Sequence, residues 1–199
     1  MKNLKMHFLV GSFALLAACG PANKEEDTTE EPEVAAVETE EPVAEEKVLN
    51  TAKATISSAS GSTLTGEATF TDLGEGDVTF KLTVEGATPG EHALHLHEKG
   101  DCSAPDATSA GGHWNPAGVK HGKRAVDHLY HAGDIANLEV GEDGKGVLTA
   151  TISGWSIGGA DSTNIINKAI IIHADADDFT SQPSGAAGKR VGCGVIQKN

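Results

Sequence analysis

From residue 50 onward the sequence is built of short stretches in which threonine alternates with valine, alanine or leucine, and glycine-rich breaks cut these stretches apart. Residues 78–84 (VTFKLTV) show the pattern best: Val78, Phe80, Leu82 and Val84 take one parity, and Thr79, Lys81 and Thr83 the other. Successive side chains of an extended chain leave opposite faces, so this segment has one face for a core and one for water. Residues 51–57 (TAKATIS), 62–70 (STLTGEATF) and 146–152 (GVLTATI) repeat the motif in part, and their β-branched residues suit a pleated, half-buried surface. The breaks at 73–77 (LGEGD), 87–90 (ATPG) and 140–144 (VGEDG) fall at hairpin-like intervals. The expectation is an all-β domain, an antiparallel sandwich or barrel. No stretch of the domain carries a sustained helical period, and there is no internal repeat. Two stretches fit no strand: 98–130, rich in Gly, Pro, Lys and His, and 175–189, rich in Asp, Ser and Gly. Long loops inside compact domains are uncommon and usually functional.

The N-terminal part is of another kind. Lys2 and Lys5 precede an apolar run, 8–17, that ends in Leu16-Ala17-Ala18-Cys19. The run is too short to span a membrane, and the small residues before the cysteine fit a bacterial lipoprotein signal peptide, 1–18, cleaved before Cys19. A plain secretory signal that happens to contain a cysteine is the alternative. A lipid on Cys19 would anchor the mature protein to a membrane. That predicts a membrane-anchored lipoprotein, facing the periplasm or the cell surface. Residues 20–47 are mostly Glu, Pro, Ala, Val and Thr with no aromatic residue, so they cannot bury enough apolar surface to offset the entropy of ordering. Residues 19–47 therefore read as a lipidated cysteine followed by an acidic, disordered tether, with an acidic binding tail as the alternative. One domain remains, 48–199. It holds 11 Lys and Arg against 18 Asp and Glu, a net charge of −7, which argues against nucleic acid as a partner.

With Cys19 lipidated, Cys102 and Cys193 are left as an even pair. In an exported protein they either join in a disulfide, which oxidising surroundings favour, or stay as two buried thiols.

Six histidines and one aspartate in the domain exceed what packing asks for: His95, His97, His113, His121, His131, Asp134 and His173. Neutral imidazole is the commonest metal ligand among side chains, and imidazole with carboxylate suits copper or zinc better than magnesium or calcium. His95 and His97 are two apart, so a strand sends both rings to one face while Leu94 and Leu96 enter the other. His113 and His121 follow, eight positions apart, and 131–134 (HAGD) then supplies an imidazole and a carboxylate within one turn. Three histidines with one aspartate make a closed four-ligand set suited to zinc. His173 ends the apolar run 169–172, which reads as a buried strand.

Taken in order, HLH at 95–97, GGHWNPAGVKHG at 111–122, HAGD at 131–134, IIIHADADD at 170–178 and AAGKRVGCGVI at 186–196 resemble the copper-zinc superoxide dismutases, in their bacterial lipoprotein form, over nearly all of residues 48–197. The resemblance implies a Greek-key antiparallel β-sandwich or barrel with two long functional loops. It implies copper on His95, His97, His113 and His173, zinc on His113, His121, His131 and Asp134, and His113 as a bridge between the two metals. It implies a disulfide between Cys102 and Cys193, and an arginine, Arg190, beside the open face of the copper. Asp177 matches the carboxylate that hydrogen-bonds His95 and His121 together, a partner that fixes ring tautomer and tilt. The activity implied is dismutation of superoxide to oxygen and hydrogen peroxide, with His113 and Arg190 as catalytic residues. His113 would give a proton to the developing peroxide, and Arg190 would dock superoxide. Copper would do the redox cycling and zinc would hold the loop, and the enzyme would protect the cell envelope from superoxide arising outside the cytoplasm. A net-negative domain repels an anion at long range, so a positive patch of Lys189, Arg190 and the metals must dominate near the site.

Several features depart from the eukaryotic pattern. Cys102 follows His97 by only five positions. The loop from His173 to Arg190 is short and lacks the charged residues that steer substrate. Asn167 stands where a glycine belongs to the dimer contact, which leaves monomer and homodimer both open. His7 lies in the signal, His92 reads as a structural histidine, and His128 lacks the Gly-Asp pair that His131 has at the matching distance. Trp114 reads as loop packing and Trp155 as a core or surface-loop residue. A copper or zinc storage or delivery module without significant turnover is the rival function, and such a relative would be expected to lose a copper ligand or the arginine. A structural lipoprotein with a zinc-stabilised sandwich leaves the copper quartet unexplained, and a copper-only member would lack His121, His131 and Asp134.

Overall fold

A computed structural model describes residues 50–199; residues 1–49, and with them the expected signal peptide, Cys19 and the tether, lie outside the described residues. Among the described residues ten strands follow in chain order: β1 (Asn50–Ser58), β2 (Thr65–Gly74), β3 (Asp77–Glu85), β4 (Gly90–His92), β5 (Leu94–His97), β6 (Leu138–Val140), β7 (Gly146–Ser153), β8 (Ala169–His173), β9 (Arg190–Val195) and β10 (Gln197–Lys198). One short 3-10 turn, Thr108–Ala110, is the only helix among them.

The alternation read from the sequence is the alternation of burial. In β3, Val78, Phe80, Leu82 and Val84 are buried while Lys81, Thr83 and Glu85 are exposed, and in β1 Ala52, Ala54 and Ile56 face inward. The β2–β3 hairpin turns on Glu75 and Gly76, both at positive φ (58° and 84°), the geometry that matches the right-handed twist of paired strands. The 62–70 stretch starts its strand later than expected, at Thr65. Ser62 instead lies in a turn, its amide donating to Ala59 O (3.0 Å) and its hydroxyl to Val191 O (2.6 Å).

All strand pairs are antiparallel, in the order β4-β6-β7-β3-β2-β1-β9-β8-β5, with β10 on β1. β1 serves two neighbours: residues 50–56 pair with β2, and Ser57 and Ser58 pair with β9. The two ends of this order, β4 and β5, are separated in the chain by Ala93 alone, so the sheet must curl until its edges meet. β3 leads to the far edge strand β4, and β6 returns to fill the place between β4 and β7. This is a nearly closed Greek-key barrel. Its core holds Phe70, Phe80 and Trp155 with ring centroids 6.0–6.5 Å apart, beside Leu82, Leu94, Leu96 and Ile170. Trp155 is thus a core residue, and its indole N–H donates to Ala132 O (2.7 Å).

Candidate metal centre

Three stretches far apart in sequence are knitted together by a ring of backbone hydrogen bonds. The Leu96 amide donates to Gly133 O (2.9 Å), the Trp114 amide to Leu96 O (2.8 Å) and the Gly133 amide to Trp114 O (2.9 Å). A Cβ at Gly133 would run into the Leu96 carbonyl, so only glycine lets the 131–134 turn approach β5 this closely. The result sets His97 against His113 and His95 against Asp134 as isolated bridge partners. His173 arrives from the other side, on β8, where Ile171 pairs with His95 and the His173 amide donates to Ala93 O (2.9 Å).

His95, His97, His113 and His173 each offer one ring nitrogen, and these atoms all lie within 4.8 Å of one another. In each ring the opposite nitrogen has a partner. His97 Nδ1 lies 2.9 Å from Gly111 O, His95 Nε2 2.8 Å from Asp177 Oδ2, and His173 Nδ1 3.4 Å from Gly188 O. The inward nitrogens, His95 Nδ1 and the Nε2 of His97, His113 and His173, are buried without any hydrogen-bond partner. Buried polar atoms are nearly always satisfied, so four orphaned lone pairs at one point make a donor set that could hold a metal ion.

A second convergence lies on the other side of the His113 ring. His113 Nδ1 is 3.0 Å from Asp134 Oδ1, His121 Nδ1 3.0 Å from Asp134 Oδ2, and His131 Nδ1 3.3 Å from both Asp134 Oδ1 and His113 Nδ1. Four donors held tetrahedrally about an ion at ~2.0–2.1 Å sit roughly 3.3 Å from one another, so these separations fit one shared ion. By mutual proximity His95 also groups with His113, His121 and Asp134 within 4.8 Å. Its Nε2 is taken by Asp177, however, and its one free nitrogen belongs to the first set, so His131 is the better fourth donor. The two sets share His113, with Nε2 toward one and Nδ1 toward the other.

Asp177 joins the sets from behind. Its Oδ2 meets His95 Nε2 at 2.8 Å and its Oδ1 meets His121 Nε2 at 2.9 Å, with all three side chains buried. The loop leaves room for it only because residue 185 is glycine, at φ 65°. A Cβ there would collide with Asp177 Oδ1 and lie 2.8 Å from His121 Nε2.

The electrostatics prepare the rings for coordination. Burial, reinforced by neighbouring imidazoles, pushes His97 down to about 2, His173 to about 3 and His113 to about 4, so all three keep free lone pairs at ordinary pH. Burial also works against charge on His121, but the Asp134 and Asp177 carboxylates outweigh it and raise this ring to about 9 when no ion is bound. Burial alone would raise Asp134 and Asp177. The imidazoles around them win, and both carboxyls are held well below the usual range.

A cavity of about 570 Å³ opens onto His97, His113 and His173 and is lined by Arg190. The guanidinium is fixed by two carbonyls, Nη1 donating to Ala107 O (2.7 Å) and Nη2 to Gly111 O (2.7 Å), the oxygen that also partners His97. The 98–112 segment supplying these carbonyls is tied to β9 by the disulfide between Cys102 and Cys193. Lys189, expected in the positive patch, does not line this cavity; Lys120 does.

Three further side chains that sequence reading missed support the site. Arg124 covers the back of the 131–134 turn, donating through Nε to Asp134 O (2.9 Å) and through Nη2 to Ala132 O (2.5 Å) and His131 O (3.3 Å). Gln182 clamps the backbone of His121, accepting its N–H (2.9 Å) and donating to its carbonyl (2.9 Å). Asn137 holds the backbone of Asp177 in the same two-way fashion, at 2.9 and 3.1 Å. No periodicity marks these residues; Arg124 and Gln182 lie in the two stretches that fit no strand, and Asn137 lies in neither. His92 stays outside both sets, its ring nitrogens 2.7 Å from His173 O and 2.8 Å from Thr88 O, and His128 is exposed.

Two comparisons bear on this geometry. The crystal structure of a clock protein, EA4, is 34% identical to this chain with a TM-score of 0.67, the match covering 76% of this chain and 96% of that one. The family described as copper/zinc superoxide dismutase (SODC) matches residues 64–196, a stretch that takes in both donor sets, Asp177, Arg190 and both disulfide cysteines. By that match, on a Greek-key barrel whose loops bring the same residues together, the chain belongs to the copper/zinc superoxide dismutase family.

Proposed function

We propose that the protein is an active superoxide dismutase, with copper on His95, His97, His113 and His173 and zinc on His113, His121, His131 and Asp134. One observation carries the reading: a single ring, His113, offers Nε2 to one four-donor set and Nδ1 to another, and the first set faces an open cavity with a fixed arginine. A closed set suits a structural ion and an open one suits a reactive ion. When bound, copper supplies the one-electron exchange by which one superoxide becomes oxygen and a second becomes peroxide, while zinc, without redox chemistry, holds the loop.

The remaining work falls to the chain. Arg190, pinned by Ala107 O and Gly111 O with no carboxylate pairing it among the described residues, keeps its charge available to hold an anion beside His97 and His113. His113 Nε2 is the buried atom placed to carry a proton to the forming peroxide. Asp177 keeps the His95 and His121 rings in one tautomer and tilt.

The acidic tether and the lipoprotein-type sequence before Cys19 support a protein anchored by lipid at Cys19 to a membrane, with residues 48–199 as a domain facing the periplasm or the outside. There it would remove superoxide arising outside the cytoplasm. Mass spectrometry of the mature N-terminus tests the anchor: acyl groups on Cys19 are expected, and an unmodified Cys19 contradicts it. The activity is tested by superoxide decay with protein carrying one copper and one zinc. Fast turnover is expected, whereas slow turnover at full metal content turns the reading to copper or zinc storage.

A further inference from the structure

One residue of the 174–189 loop, outside both donor sets, breaks a backbone rule. Phe179 stands at φ 58°, in the left-handed region that a bulky aromatic residue rarely enters. Strained backbone of this kind persists only where the surroundings hold it, and it gathers at functional sites. Here it turns the Phe179 amide back onto Asp177. The amide donates to Asp177 Oδ1 at 2.7 Å, the same oxygen that meets His121 Nε2 at 2.9 Å. Asp178 closes the turn that follows, its Oδ1 accepting the amides of Thr180 and Ser181 (both 2.8 Å).

The Phe179 ring is half-buried, and Lys123 Nζ lies 5.0 Å from its centroid, where an ammonium is attracted to the face of the ring. Lys123 comes from the 98–130 stretch, two residues after His121, and no carboxylate among the described residues pairs with its side chain. Its backbone is anchored: the Lys123 amide donates to Asp127 Oδ2 (2.6 Å), and its carbonyl accepts from Asp127 N (2.9 Å). Gln182, on the same loop as Phe179, grips the His121 backbone. The two loops thus meet at His121 and again two residues later. We propose that Phe179 is a positioning residue: its left-handed backbone and its ring under Lys123 latch the two loops together, so that Asp177 keeps the His121 ring aimed at the second donor set and slows release of an ion held there. The inference rests on the reading that zinc occupies that set.

The test follows zinc release from copper- and zinc-loaded protein into excess chelator. Glycine adopts φ 58° freely, so Phe179→Gly removes the ring without forbidding the backbone its direction. Phe179→Gly and Lys123→Gln are each expected to speed zinc release roughly two- to fivefold, the scale of an exposed cation over an aromatic face. The double variant should release zinc no faster than the faster of the two, because both remove one contact. Phe179→Tyr and Lys123→Arg, which keep ring and charge, should hold the unmodified rate. Hydrogen exchange in metal-free protein reads the latch without any ion: Lys123→Gln should raise exchange over 177–185, in the loop to which it does not belong. Additive effects in the double variant, or a Lys123→Gln protein with either readout unchanged, overturn the proposal. If the unmodified protein takes up no zinc, the functional reading falls while the latch is still judged on exchange alone.

Discussion

At His113 one imidazole is asked to face two ways, and the residues around it decide whether it can. Its Nδ1 meets Asp134 at 3.0 Å and its Nε2 is left bare toward the cavity. The ring partners work the same way elsewhere: Gly111 O for His97, Asp177 for His95 and His121. Asp177 is the test of this scale, since it alone orients a ring from each set. Replacing Asp177 by Asn keeps the shape and removes the charge, and metal affinity should fall roughly 10- to 100-fold, as is usual for partners of ligating histidines. Competition with a chelator of known affinity measures this, and an unchanged zinc affinity would show that the carboxylate is not positioning the rings. The histidines that converge were legible as candidate donors, because HLH on one strand face and HAGD in one turn are spacings that chemistry explains. Lys120, Gln182 and Arg124 were not legible, since their partners are backbone groups or a cavity wall that only the folded chain brings near.

Among the elements, the pairing of β5 with the 113–114 and 131–134 segments matters more than any strand's length. The ring of three hydrogen bonds through Leu96, Trp114 and Gly133 sets the His97–His113 approach, and Arg124 secures its outer side by donating to the carbonyls of Ala132 and Asp134. Arg124→Ala would take the guanidinium donor from the carbonyl of the buried Asp134, at about 1–3 kcal/mol, while Ala132 O keeps the Trp155 indole N–H. Thermal melting of the metal-free variant should show a clear loss of stability, and chelator competition should show zinc affinity falling more than copper affinity. A variant with unchanged melting and unchanged zinc affinity would remove Arg124 from this account. The strands β1, β2, β3 and β7 could be read from alternation because each has one wet and one dry face. The short strands β4, β6 and β10, of two or three residues each, give too little sequence for any period to emerge. Strand β9 is hidden for another reason: Gly192 and Gly194 take positions where a Cβ would meet Leu64 and Ile56, so the parity that packs on those residues carries no side chains, and Val191, Cys193 and Val195 all fall on the other.

For the molecule as a whole, the barrel is a frame closed by Ala93 between β4 and β5, and the metal centre sits where the long 98–137 connection and the 174–189 loop meet that frame. Donors from β5, β8 and the 98–137 connection converge on two points, with Asp177 of the 174–189 loop behind them, so an ion bound there links parts of the fold that are otherwise held by loops. Removing the metals should lower the melting temperature. An ion present at about 100 times its dissociation constant contributes roughly 2.7 kcal/mol, or on the order of 5–10 °C for a domain of this size. Calorimetry of loaded and stripped protein checks this, and identical melting curves would mean that no ion binds the folded state. The class of fold was readable from alternation and the metal chemistry from histidine spacing, but the sharing of His113 between two sets came only by resemblance, because no local pattern tells which nitrogen of a ring faces which partner. The most direct measurement of the central claim is the rate of superoxide decay with protein holding one copper and one zinc, set beside zinc-only protein and a His113→Ala variant. Fast decay in the copper-zinc protein, lost in the other two, is the predicted result. Equal rates in all three, or slow decay in the fully loaded protein, would contradict it.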